Sequence, residues 1–185
     1  MKIHIMGASC AGSTTLGNTL AQHLKYPYFD TDYFFWEQTE IPFTIQRDRD
    51  QRIQTLKELL VSHQNHIVGG SLVNWGDEWL TAFNLVVFLH VPPQIRLQRL
   101  KEREFERYGD VIHTDPNRIA AYQKFIDWAA AYDTNAISGR TLQVHEDWLS
   151  KVTCPVLQIR GDTTVPQRID LILNKMQAVK SSAIN

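Results

Sequence analysis

Gly7-Ala8-Ser9-Cys10-Ala11-Gly12-Ser13-Thr14 is the stretch on which the reading of this 185-residue chain turns. It follows a short apolar run, Lys2 to Met6, that reads as a strand. It opens a segment, Ser13 to Lys25, that sets Leu16, Leu20 and Leu24 on one helical face. The pattern G-x-x-x-x-G-K-[ST] puts Gly7, Gly12 and Thr14 in register. Glycines let such a loop turn tightly and aim its N–H groups at phosphate oxygens. The helix that follows adds unpaired donors and a positive dipole end. Thr14 is placed to put a hydroxyl on a Mg²⁺ held by those phosphates. The expected phosphate-binding set is Gly7, Ala8, Ser9, Cys10, Ala11, Gly12, Ser13, Thr14 and Thr15. Ser13 is the departure, since a lysine at that position normally neutralises phosphate charge. A plain strand-to-helix turn would use glycines too, and the strand-then-helix setting favours the phosphate loop.

Working outward, strands and helices alternate. Tyr28-Phe29 reads as a second strand, and an aromatic stretch from Tyr33 to Trp36 leads into a polar loop through Pro42. A helix is expected across Ile45, Ile53, Leu56, Leu59 and Leu60, with Arg47 and Arg52 on it. His66 to Gly70 is a third strand, and Leu85 to Val91, nearly all apolar, is a strand covered on both faces. Pro92-Pro93 opens a basic helix to about Arg107, broken at Tyr108-Gly109-Asp110. Asp115-Pro116 starts another helix, and a shorter one spans Leu142 to Leu149. Pro155 to Ile159 is a fifth strand, Val165 to Met176 lie on a last helix, and Ser181 to Asn185 reads as a loose tail. This alternation predicts an α/β fold, a five-stranded parallel sheet with helices on both faces.

Three further features bear on chemistry. Asp30 and Asp32 end the second strand, at the edge where parallel sheets place ligands. One could hold Mg²⁺ and the other accept a hydroxyl proton; equally, one could cap a helix and the other face solvent. Gly69-Gly70 permits close approach of a ligand or simply a tight turn. Arg96, Arg99 and Arg103 recur at spacings that line one face of the basic helix, where guanidinium forks suit phosphate oxygens. Glu102, Glu104 and Glu106 on the same helix favour a solvated, self-paired surface instead.

Composition narrows the alternatives. Charged residues are 21% and the net charge is -1, which argues against a nucleic-acid polymer as partner. Two cysteines exclude a disulfide framework. No apolar run approaches the ~20 residues of a membrane span, and Gly7 interrupts the first apolar run too soon for a secretion signal. A cytoplasmic location is expected, with no membrane partner. His63 and His66 read as surface residues, and His145-Glu146-Asp147 lacks the second histidine of a zinc motif. Ser71 and Ser138 sit outside a nucleophile elbow, so hydrolase chemistry has no support. Trp75, Trp79 and Trp128 are assigned to packing.

Taken together the chain resembles the P-loop small-molecule and nucleoside-monophosphate kinases, the group of adenylate, shikimate and gluconate kinases. The likeness rests on the loop, on Phe29-Asp30-Thr31-Asp32, on Gly69-Gly70, on Leu89 to Arg103, and on Gly161-Asp162 to Val165, similar to the segment beside adenine. The resemblance implies a P-loop NTPase three-layer fold, a single domain over residues 1–185, an acceptor segment near 32–60 and a helical lid near 96–118. It implies ATP and Mg²⁺ as cofactors, with Thr14 and Asp30 at the metal. Asp30, Asp32, Arg99 and Arg103 would be catalytic. Asp32, Arg47, Arg52, Gly69 and Gly70 would meet a small acceptor, and Arg99 or Arg103 would make up for the missing lysine. The expected activity is ATP-dependent phosphotransfer to a small molecule or nucleoside monophosphate. Its rivals are a weak or inactive nucleotide-binding regulator and a simple phosphate-anion binder.

Overall fold

A computed structural model describes residues 1–136 and 139–182. Ser138 and the tail from Ala183 lie outside the described residues, and Ser181 and Ser182 belong to the last helix. Five strands form one sheet in the order β2-β3-β1-β4-β5, every pair parallel. They are β1 Lys2–Gly7, β2 Tyr28–Asp30, β3 His66–Gly69, β4 Leu85–His90 and β5 Val156–Arg160. The helices are α1 Ser13–Leu24, α2 Thr31–Phe35, α3 Arg49–Val61, α4 Pro93–Tyr108, α5 Val111–Thr114, α6 Pro116–Ala130, α7 Leu142–Leu149 and α8 Val165–Ser182.

Alternation along β1 divides the core. Ile3 and Ile5 join Leu16, Leu20, Ile172 and Met176 beneath α1 and α8. Met6 joins Phe34, Leu56, Trp75, Trp79, Phe83, Phe88 and Trp148 on the other face. Successive side chains of a strand point to opposite faces, so both layers are anchored by one strand. Trp75 and Trp79 are buried in packing, as expected.

Some expectations needed correction. The aromatic stretch begins as a short helix, α2, because the Asp30 carboxylate accepts the Asp32 N–H at 3.0 Å and caps it. Helix α3 begins only at Arg49, where the Asp48 side chain accepts the N–H groups of Asp50 and Gln51. Ile45 is therefore exposed rather than in its apolar stripe, and Arg47 precedes the helix. His66 is buried, with Nδ1 2.8 Å from the His63 carbonyl, rather than on the surface.

Candidate active site

In a parallel sheet the loops after the strands gather at one edge. Here that edge collects the loop after Gly7, Asp30 and α2, Gly70-Ser71, Val91-Pro92 and Gly161-Asp162. The loop turns through Cys10 at φ 60° and Gly12 at φ 94°, a region that favours glycine. No side chain caps α1 at Gly12, so its first-turn N–H donors remain available to an anion. Ser13 is half-buried in the lysine's place, and Thr14 and Thr15 are exposed beside it.

The acidic pair is tied directly to this loop. Thr14 Oγ1 donates to Asp30 Oδ2 at 2.8 Å, and the Tyr28 hydroxyl donates to the same oxygen at 3.0 Å. Asp30 thus both caps α2 and meets the hydroxyl expected at a metal. A hydroxyl and a carboxylate in contact fit Mg²⁺, which takes one or two protein oxygens plus phosphates and water. Among the described residues no group of three His, Cys, Asp or Glu side chains could form a fuller metal cage.

Asp32, two residues on, is open to solvent yet hemmed in by protein. Desolvation first holds its carboxyl above the usual range. The Arg140 guanidinium opposes this, the Asp30 carboxylate adds to it, and Arg103 and Arg107 oppose it. Three guanidinium groups therefore ease the ionisation of one accessible carboxylate through space. Arg140, stacked 5.2 Å from the Trp128 ring, is not among the expected site residues, and its position two residues before α7 carries no motif.

The remaining arginines sort by partner. Arg52 lies between Phe35 at 4.3 Å and Trp75 at 5.0 Å, and it is only 8% exposed. Its Nε has no hydrogen-bond partner among the described residues. Arg47 instead pairs with Glu37 at 3.2 Å across the Trp36–Gln46 bridge. Arg96 does not share an open face with Arg99 and Arg103. It is buried, donates to the Val91 carbonyl at 3.0 Å and pairs with Asp133, because the root of α4 packs inward. Arg99 pairs with Asp162 at 2.6 Å, and Arg103 with Glu104 at 3.1 Å. Arg107 lies 4.7 Å from the Phe43 ring, joining the end of α4 to the loop between α2 and α3.

Gly69 does not face open space, since a Cβ there would meet the Tyr28 hydroxyl. Gly70, at φ 101°, would meet Thr31 Oγ1. The glycine pair thus seats β2 and α2 closely on β3. Ser71 Oγ lies 3.2 Å from His145 Nε2, and the Tyr132 hydroxyl 2.8 Å from His145 Nδ1. All three are buried, and burial pushes His145 down to about 3. This is a packed polar core and not a nucleophile with access to substrate. Burial also raises the Cys10 thiol, which argues against a reactive thiolate in the loop.

Comparison with known proteins supplies context. A family model described as an AAA domain, AAA_18, matches residues 3–115. Uncharacterized protein YqaC of Bacillus subtilis (strain 168) is 36% identical over 176 residues, covering 95% of this chain and 97% of that protein. The shikimate kinase of Dechloromonas aromatica (strain RCB) is 33% identical over 111 residues. That match spans 54% of this chain and 60% of the relative, under two thirds of its length. Among solved structures, shikimate kinase from Acinetobacter baumannii in complex with shikimate superposes with a TM-score of 0.57 at 19% identity. It covers 96% of this chain and 93% of that one, and the likeness is one of fold. Among the described residues no helix is long and apolar enough to cross a membrane.

Proposed function

Because the chain belongs to the AAA_18 family, described as an AAA domain and matched over residues 3–115, and shares its fold with shikimate kinase, we propose that it transfers the γ-phosphoryl group of ATP to a hydroxyl of a small anionic acceptor. The observation that carries this reading is the link from phosphate loop to acidic pair, Thr14 to Asp30 at 2.8 Å, with Asp32 accessible two residues on. A module that only bound anions would gain nothing from two carboxylates beside its phosphate site.

In this reading the loop from Gly7 to Thr15 cradles the triphosphate, and Thr14 and Asp30 would hold Mg²⁺. The bound metal neutralises phosphate charge. Asp32 accepts the acceptor hydroxyl's proton, and its raised carboxyl is a better match to that task than an ordinary aspartate. Arg52, fixed between two rings, binds an anionic group of the acceptor within the segment near 32–60. Arg99, Arg103, Arg107 and Arg140 converge from the lid side, near 96–118 and beyond, on the group in transit. Gly69 and Gly70 contribute by seating β2 and α2.

A coupled ADP-release screen with Mg²⁺-ATP over hydroxy acids, sugar acids and nucleoside monophosphates tests the reading. Turnover is expected with an acceptor that carries both a hydroxyl and a negative charge. Ser13 favours a second reading, a nucleotide-binding regulator. ATP binding with no turnover across the screen would select it.

A further inference from the structure

We propose that Arg168, in the first turns of α8, supplies the positive charge that Ser13 withholds from the phosphate loop. The inference rests on the phosphotransfer reading above and concerns the same site. Arg168 is 3% exposed. Its Nη1 donates to the Ala11 carbonyl at 2.9 Å, and its Nε donates to Thr163 Oγ1 at 2.9 Å. The same Nη1 stands 3.0 Å from where a Cβ on Gly12 would lie. The guanidinium is therefore seated against the two residues that immediately precede Ser13.

What marks this arginine is the absence of a counter-charge. No carboxylate among the described residues forms an ion pair with it. Asp162 acts on it through space, but Asp162 is already bonded to Arg99 at 2.6 Å. Two arginines thus share one aspartate, leaving a single positive charge in excess. That is the charge a lysine at position 13 would bring. A buried cation without a counter-charge is costly, so a fold that keeps one beside an anion-binding loop gains when an anion arrives. Arg168 acts through the loop, polarising the Ala11 peptide and raising the local potential, and is a positioning residue. The chain separation of 157 residues explains why no local motif announces it.

The test is a set of binding titrations of Mg²⁺-ATP and of tripolyphosphate to the full chain. Arg168→Gln is expected to weaken both by about tenfold or more, roughly 1.4 kcal/mol, and Arg168→Lys to weaken them less. Ser13→Lys should restore at least half of the lost affinity on a logarithmic scale in the Arg168→Gln background. In the parent its gain should be smaller than in that background, because the charge is already present. A purely structural arginine would not be rescued by a lysine on another element. If Arg168→Gln binds like the parent, or Ser13→Lys gives the same gain in both backgrounds, the inference is wrong while the phosphotransfer reading stands. A parent that binds neither ligand overturns both. Should Arg168→Gln not fold, Ser13→Lys in the parent decides alone, and a tenfold gain there refutes the role assigned to Arg168.

Discussion

The two faces of the sheet are built from different materials. Beneath α1 and α8 the fully buried residues are aliphatic: Ile3, Ile5, Leu16, Leu20, Ile172 and Met176. The opposite face buries Phe34, Trp75, Trp79, Phe83, Phe88 and Trp148. Several buried polar groups lie against those rings. His4 stacks on Phe83 at 5.0 Å, His145 meets Phe88 edge-on, and Arg52 lies over Phe35 and Trp75. Aliphatic side chains in fixed rotamers make a stiff bed, which suits a loop whose backbone donors must stay aimed. Aromatic rings can face a cation or another ring edge, so that layer tolerates charge and can be re-cut for an acceptor. One face fixes the phosphate donor, and the other is adapted to what receives the phosphate.

The sharpest challenge to this division is Asp32→Asn, at the mouth of the aromatic side. Loss of a general base costs about 10² to 10⁴ in rate, read as ADP release with the identified acceptor. The same change should raise the melting temperature at pH 7. A carboxyl whose folded value is raised stabilises the fold when protonated, at low pH, and that contribution is lost as pH rises through the folded value. At pH 7 the ionised Asp32 is therefore a burden that asparagine removes. A lowered melting temperature would mean that the arginines around Asp32 outweigh its desolvation.

Leu20→Ala and Leu56→Ala probe one face each. Both residues are fully buried, and each truncation should cost about 2–5 kcal/mol in chemical denaturation. Their functional signatures should part. Leu20→Ala, on the buried face of the helix that follows the loop, should weaken nucleotide binding. Leu56→Ala, one turn from Arg52 on α3, should raise the acceptor KM and leave nucleotide affinity alone. Equal effects on both ligands would dissolve the distinction between faces.

Acid should attack the aromatic face first. Burial depresses His4 to about 4 and His145 to about 3, against 6.5 in the unfolded chain. Both are neutral in the fold, so their stabilisation is present above pH 6.5 and is lost as pH falls toward those values. Each contributes a slope of about 1.4 kcal/mol per pH unit in that window. Denaturation followed from pH 7 to pH 4 should show that slope shrink in His145→Gln, whereas Leu20→Ala should shift the curve without changing it.

Local patterns made most of this architecture legible in the sequence. The glycine spacing before α1, the Asp115-Pro116 start of α6 and the unbroken apolar run of β4 all act within a few residues, and each element formed where its pattern lay. Helix α2, five residues long, is too short to show a helical repeat, and only the capping alternative at Asp30 and Asp32 points to it. The arginines were the hardest to sort. Helical spacing places Arg96 beside Arg99 and Arg103, but Asp133 and the Val91 carbonyl draw Arg96 inside. Arg168 and Arg140 reach the site only through tertiary packing, which leaves no local trace.

The smallest effect expected is at Thr141, which joins the polar layer to the fold. Thr141 is buried, and its hydroxyl accepts the Val144 N–H at 3.3 Å to cap α7. That helix carries His145 and also Trp148, whose ring covers His4 edge-on at 5.5 Å. Thr141→Ala removes the acceptor and should cost about 1 kcal/mol. Thr141→Ser, which keeps the oxygen, should recover most of that. If α7 is held mainly by its rings, the denaturant midpoint will fall with no change in the dependence on denaturant, and the acid slope will match the parent's. A larger loss, accompanied by a flattened acid slope, would mean that His145 is no longer kept neutral. The cap, rather than aromatic packing, would then be what keeps this polar layer sealed.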